Sequence, residues 1–235
     1  MPSVLIVLTS ADKTLTGAQT GWFLPEAAHP YYILAPHASI DFAAPKGPNP
    51  PLAEESVQMY SEDEESVRFL NDEAVKAKLA GAKKLSDIDF TDYDAIFYVG
   101  GHGPVIDLPT DPVSIKLIQQ FWDSGKIVSA VCHGSAGLTG FCSALTSAVD
   151  AAGKSIFIGR TATGFSNAEE EDLNTVKDIP FLLEDRIIQL GGTYVKADKI
   201  WEEKIVVDGN LITGQNPASA AGVGKAILKA LIDRN

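Results

Sequence analysis

Three apolar runs constrain this chain more than anything else in it: residues 3–8 (SVLIVL), 94–99 (DAIFYV) and 126–131 (KIVSAV). None shows the strict polar alternation of a strand with one wet face. Such runs read as strands buried on both faces, and burial on both faces belongs to a parallel sheet sandwiched by helices. A helical pattern follows each run, as parallel crossovers require. The alternation predicts an α/β fold built on a doubly wound, mostly parallel sheet, with residues 1–235 as one domain.

Residues 39–43 add a strand, and residues 155–160 add another. Asp208-Gly209-Asn210 lies between two β-branched triplets and reads as the turn of a late β-hairpin. Residues 21–30 read as a short helix, with Pro25 in its first turn and Pro30 limiting it. Ser61-Glu62-Asp63-Glu64 is a capping box for a helix carrying Val67, Leu70, Ala74 and Ala77 on one face and stopping at Gly81. Asp111-Pro112 caps a helix with Ile115, Ile118 and Trp122 inward. Asn216-Pro217 caps a last helix with Val223, Ile227, Leu228 and Leu231 inward.

The third run ends abruptly in Cys132-His133-Gly134, and small residues follow. That pattern reads as a strand, a sharp turn and a helix, holding a nucleophile at the C-terminal edge of the sheet. A thiol at a helix N-terminus is favoured as thiolate. From these residues alone, a buried structural cysteine at a strand end fits as well. Leu138, Phe141, Leu145 and Val149 give the following helix its core face, and Cys142 on that helix reads as an inert core thiol.

The formal net charge of −12 argues against nucleic acid and anionic membrane as partners. No apolar stretch approaches a membrane span, and residues 1–11 lack both the apolar length and the basic start of a secretory signal. Two cysteines provide neither a disulfide framework nor zinc spacing, so reducing cytosol is the simplest compartment.

Gly100-Gly101-His102-Gly103-Pro104 follows the 94–99 strand and reads as a turn whose backbone N–H groups approach a ligand, or as a plain tight turn. No Walker lysine or G-x-G-x-x-G points to phosphate. Glu26 lies amid Trp22, Phe23, Leu24 and Ala27, and on its own reads as part of a solvated helix face. The acidic run at 168–172 suits a helix N-terminus. The histidines are His29, His37, His102 and His133, so none lies beyond Cys132 except its neighbour. Papain-like proteases, α/β-hydrolases and class I glutamine amidotransferases use a histidine further downstream. Here the helper is His133 or a carboxylate from elsewhere. The same count argues against a metal site.

Residues 130–134 (AVCHG), together with Gly100-Gly101-His102-Gly103, resemble the DJ-1/PfpI superfamily. Residues 20–30 (TGWFLPEAAHP), 163–167 (TGFSN) and 211–219 (LITGQNPAS) are similar to its fungal and bacterial heat-shock-protein-31-like branch. The resemblance implies a flavodoxin-like α/β sandwich, akin to class I glutamine amidotransferases. It implies a glutathione-independent glyoxalase, a lyase that converts methylglyoxal to lactate, and glyoxal to glycolate, with no cofactor and no metal. Cys132 would be the nucleophile, His133 its triad neighbour and Glu26 the buried acid beside the thiol. Glu170 matches the third triad position, with Glu169 as the register alternative. Backbone N–H groups of Gly101 and His133, with Gly100 in the same turn, would meet the substrate oxyanion, and His133 with Glu170 would move a second proton. The implied partner is a small 2-oxoaldehyde, the assembly a homodimer, and the compartment the cytoplasm with access to the nucleus. A holdase chaperone, a thiol redox sensor, and a peptidase or protein deglycase are other readings of the same thiol.

Overall fold

The structure, a computed structural model, describes residues 1–140 and 155–234. Its elements in chain order begin with β1 (Ser3–Val7), α1 (Leu24–Leu34), β2 (Ser39–Ala44), α2 (Glu54–Met59), α3 (Glu64–Asn71) and α4 (Glu73–Ala80). Next come β3 (Lys83–Lys84), β4 (Ala95–Tyr98), α5 (Gly103–Asp107), α6 (Pro112–Asp123), β5 (Ile127–Val131) and α7 (Ser135–Thr139). The remainder comprises β6 (Thr161–Ala162), α8 (Asn167–Asp172), α9 (Leu183–Gln189), β7 (Thr193–Tyr194), β8 (Ile205–Asp208), β9 (Leu211–Gly214) and α10 (Ala220–Ile232).

The main sheet runs β3-β2-β1-β4-β5-β9-β8. Every neighbouring pair in it is parallel except the β8–β9 hairpin. This is the mostly parallel, helix-flanked sheet that the apolar runs predict. β4 and β5 are buried along their whole length, and β1 at all but its first residue. Burying a side chain such as Leu5 or Phe97 completely stabilises the fold by roughly 1.5–3 kcal/mol each. Val7 pairs with Tyr98 and Tyr98 with Ala130, so β1, β4 and β5 end level with one another. Their C-terminal turns therefore open on one edge, where a crevice forms in doubly wound sheets. Gly209, with φ +61°, supplies the left-handed first residue of the hairpin turn. No helix among the described residues is long and apolar enough to cross a membrane.

Several local expectations are corrected. α1 starts at Leu24 and continues through Pro30 to Leu34. Pro30 gives up one helical hydrogen bond, and its neighbourhood is closed instead by α10: a Cβ on Gly224 would come within 2.9 Å of Pro30 Cα. The helix expected from Ser61 to Gly81 is two helices. Asp63, not Ser61, caps α3 by accepting from Ser66 N–H, and Asp72 breaks the run and caps α4 through the N–H groups of Ala74 and Val75. Residues 155–160 form no strand. Ser155 Oγ takes the Phe157 N–H, Ser155 carbonyl takes the Ile158 N–H, and Gly159 adopts φ +70°, so the segment closes into turns. The short strand after it, β6, pairs with β7 outside the main sheet. Asn216 does not cap α10; its amide donates to Glu169 and to the Glu202 carbonyl, and a 3₁₀ turn at Pro217–Ser219 precedes the helix. Phe141, Cys142, Leu145 and Val149 lie outside the described residues.

Candidate active site

Cys132 leaves β5 with φ +55°, a left-handed conformation uncommon for any residue but glycine. A 3₁₀ turn at Cys132–Gly134 leads at once into α7. Only glycine fits at 134, because a Cβ there would come within 2.4 Å of the Tyr98 carbonyl oxygen. The opposite lip is the Gly100–Gly101 turn after β4. A Cβ on Gly100 would lie 2.3 Å from a Glu26 carboxyl oxygen and 2.7 Å from Cys132 Cβ. The absent side chain is thus what lets carboxyl and thiol meet. The N–H groups of Gly101 and His133 face the Cys132 sulfur.

Glu26 reaches the thiol because the start of α1 is tied to that same turn. Phe23 N–H donates to the Gly100 carbonyl at 3.0 Å, and Gly103 N–H to the Gly21 carbonyl at 3.3 Å. The solvated-face reading of Glu26 is therefore overturned: the residue is wholly buried. Its carboxyl lies against Cys132 and the Gly100 backbone, yet neither oxygen completes a hydrogen bond of good geometry. Burial pushes its pKa up to about 8, against the lowering influence of Cys132 and Gly100. At neutral pH Glu26 holds a proton.

The far side of the thiol is arranged in the opposite way. His133 Nδ1 lies 3.6 Å from Cys132 Sγ, and its Nε2–H donates to Glu170 Oε2 at 2.6 Å. His102 Nε2–H donates to Glu170 Oε1 at 3.0 Å, and Thr175 Oγ1 donates to the same oxygen. Burial pushes Glu170 up, but the two imidazoles and their hydrogen bonds outweigh it and hold the carboxyl well below the usual range. Burial pushes His133 down, with Glu170 opposing. A neutral His133 ring still gives its Nε2–H to Glu170. His133 Nδ1 is then an acceptor facing the thiol.

Burial, followed by the negative charge on Glu26, pushes the Cys132 thiol well above its ordinary value, against the N–H groups of Gly101 and His133. The expectation of a thiolate stabilised by a helix dipole is not met. α7 has only five residues, and Cys132 is 4% exposed, so desolvation outweighs the dipole. The thiol needs a base, and the structure puts one beside it: His133 Nδ1, 3.6 Å from the sulfur.

Glu169 and Glu170 are neighbours on α8 and point about 100° apart. Glu169 Oε2 accepts from Ser166 N–H and Oγ, and Oε1 from Trp201 N–H, Gln215 Nε2 and Asn216 Nδ2. It ties three segments of scaffold together, whereas Glu170 alone of the pair meets His133. His102 and Thr175 are the members of this network not singled out from sequence. The histidine stood in the Gly-Gly-His-Gly motif with no role, and nothing local marks Thr175.

Cys132, His102 and His133 line a cleft of about 630 Å³, mouth included, whose walls include Phe23, Tyr60, Phe165 and Trp201. Phe165 lies over the His133 ring at 4.4 Å and 34°, fixing the imidazole plane. Ligand atoms of His102, His133 and Glu170 all fall within 4.8 Å of one another, a set able to hold a metal ion. The histidine count gave no hint of this grouping; here the same three residues are joined by hydrogen bonds.

Residues 52–230 match the model of the DJ-1/PfpI family. Glyoxalase 3 of Candida albicans is 31% identical over 248 aligned positions covering 98% of each chain. Among solved structures, the rapid encystment protein of 24 kDa from Francisella tularensis superposes with a TM-score of 0.90, at 33% identity over 98% of this chain and 99% of that one. The crystal structure of glyoxalase III from Candida albicans superposes with a TM-score of 0.83, at 28% identity over 97% of each chain. A cysteine on a strained turn, a flavodoxin-like sheet and these near full-length matches lead to one assignment: the chain belongs to the DJ-1/PfpI family.

Proposed function

We propose that this protein is a glutathione-independent glyoxalase that converts methylglyoxal, and related small 2-oxoaldehydes, to the 2-hydroxy acid. The observation that carries the reading is Cys132 in a cleft between the fully buried Glu26 carboxyl, which has no hydrogen-bond partner of good geometry, and the His133–Glu170 pair. The near full-length likeness to a protein named glyoxalase 3 supports it.

The substrate is small, so covalent capture supplies what remote binding energy cannot. The sulfur adds to the aldehyde carbon C1, and the Glu26 proton goes to the forming alkoxide, giving a hemithioacetal. Gly101 and His133 N–H groups, already aimed at the sulfur, stabilise that oxygen as charge develops. Glu26, now a carboxylate, takes the proton from C1 and returns it to C2. C1 is oxidised and C2 reduced by the same electron pair, so no cofactor enters. Water then cleaves the thioester, releasing the hydroxy acid and the thiol. His133 receives the thiol proton, and Glu170 stabilises the imidazolium that results. The enzyme is in this reading a lyase of the glyoxalase III type, one domain per chain, homodimeric, acting in the cytoplasm.

Methylglyoxal consumption by the purified protein, with lactate measured and glutathione absent, tests the assignment. Lactate formation that disappears in Cys132→Ser is the expected result. Methylglyoxal that persists, or disappears equally with the variant, contradicts it.

A further inference from the structure

Converting the hemithioacetal to the thioester moves two protons. One goes from C1 to C2, which is the work given to Glu26. The other must leave the oxygen on C1 and reach the oxygen on C2, because C1 ends as a carbonyl and C2 as an alcohol. That second transfer needs a group that can both accept and donate, facing the cleft.

The polar neighbours of the thiol are mostly committed. His133 has one nitrogen on Glu170 and the other facing the sulfur, and its side chain is 1% exposed. Glu170 is sealed at 2% and occupied by three donors. Tyr60 lines the cleft, but burial pushes its hydroxyl up to about 12, so it donates hydrogen bonds without giving up its proton. Glu55 lies at the solvent-exposed rim. His102 differs from all of these. It lines the cleft, its side chain is 10% exposed, and its ring lies 4.5 Å from that of His133. Nε2–H is fixed on Glu170, and among the described residues Nδ1 has no hydrogen-bond partner.

We infer that His102 is a further catalytic residue, whose Nδ1 carries the proton from the C1 oxygen to the C2 oxygen of the bound substrate while Nε2–H stays on Glu170. The inference rests on the glyoxalase reading above. On accepting the proton the ring becomes an imidazolium hydrogen-bonded to Glu170, beside the enediolate oxygen on C2 that takes the proton next. On releasing it to the second oxygen, the ring returns to its starting tautomer. Proton and electron counts close without any other reactant. Glu170 then serves two imidazoles, one for the sulfur and one for the substrate oxygens, which accounts for its two-sided grip.

The decisive variant is His102→Gln, because a glutamine amide can keep an N–H on Glu170 but cannot shuttle a proton. Two rates are compared with the parent: kcat with methylglyoxal, and the rate at which iodoacetamide alkylates Cys132. The expected result is a kcat lower by roughly 10²-fold, the usual worth of a placed acid–base group, with alkylation within about twofold of the parent. A kcat within about threefold of the parent overturns the inference, since a missing acid–base group costs far more. Equal losses in kcat and alkylation also overturn it, because His102 would then act only by holding Glu170 and His133. His102→Asn provides the same comparison if the glutamine variant does not fold. A parental protein that makes no lactate sinks the glyoxalase reading itself, a failure visible before any variant is made.

Discussion

Two buried carboxylates flank Cys132, and they are in opposite states. Glu26 is fully buried with neither oxygen well bonded, and its pKa is pushed up to about 8. Glu170 is almost as deeply buried, yet three donors converge on it and it stays charged. Burial alone therefore does not decide the charge of a carboxyl; the donors supplied by the fold do. The contrast gives the thiol a proton donor on one side and an acceptor backed by a negative charge on the other. Carboxylates differently protonated by their surroundings are a recurring way to run acid and base chemistry in one site.

The largest expected effect removes the group between them. Cys132→Ser should lower turnover by roughly 10³-fold or more, as loss of a nucleophile does, with melting temperature little changed. Substantial residual activity in a kinetic assay would move the chemistry to the carboxylates themselves. Next is Glu26→Gln, which keeps shape but cannot exchange a proton. A fall in kcat of roughly 10²-fold or more is expected, with Cys132 still present and the fold intact. A near-parental kcat would break the contrast from the Glu26 side.

Stability against pH sharpens the comparison, because the two carboxyls carry opposite signs. Glu26 has its pKa raised from 4.5 to about 8, so the folded chain keeps a proton that the unfolded chain loses. Its contribution is fully present below 4.5 and is lost as pH rises towards 8. Glu170 is depressed, so its contribution is present above 4.5 and is lost as pH falls through its folded value. In thermal melts, Glu26→Gln should therefore gain on the parent with rising pH, and Glu170→Gln should lose least against the parent in acid. Parallel curves for parent and variants would show that neither carboxyl is perturbed. The smallest catalytic effect belongs to Glu169→Gln. It unbalances a carboxylate that accepts five hydrogen bonds and should cost about 1–3 kcal/mol in chemical denaturation. Turnover per folded molecule should stay close to parental; a kcat loss rivalling that of Glu26→Gln would show that Glu169 shares the chemistry.

What could be read from the sequence follows the range of the forces involved. β1, β4 and β5 were legible because burial on both faces leaves a continuous apolar run, and the turn at Cys132 was legible because only small residues fit after it. Residues 155–160 misled because Ile156 and Phe157 are buried in a turn, held by a serine side chain and a left-handed glycine. The break at Asp72 was hidden because an aspartate that caps the next helix looks like any polar helical residue. The choice between Glu169 and Glu170 was in fact written locally. Ser166 and Glu169 form a capping box, which fixes the phase of α8 and turns Glu169 to the scaffold and Glu170 to the imidazoles. Glu26 was not legible from its neighbours, since its burial depends on docking α1 against a turn more than seventy residues away in sequence, where Phe23 N–H meets the Gly100 carbonyl.

The most direct test of the central contrast is a side-chain carbon NMR titration of Glu26 in the protein labelled at glutamate carboxyls, assigned with Glu26→Gln. The Glu26 carboxyl should titrate with an apparent midpoint near 8, shared with Cys132 as a coupled pair, while Glu170 shows no protonation until well below 4.5. A Glu26 midpoint in the ordinary carboxylate range would mean that the carboxyl is already charged at neutral pH, and the two sides of the thiol would not differ as described.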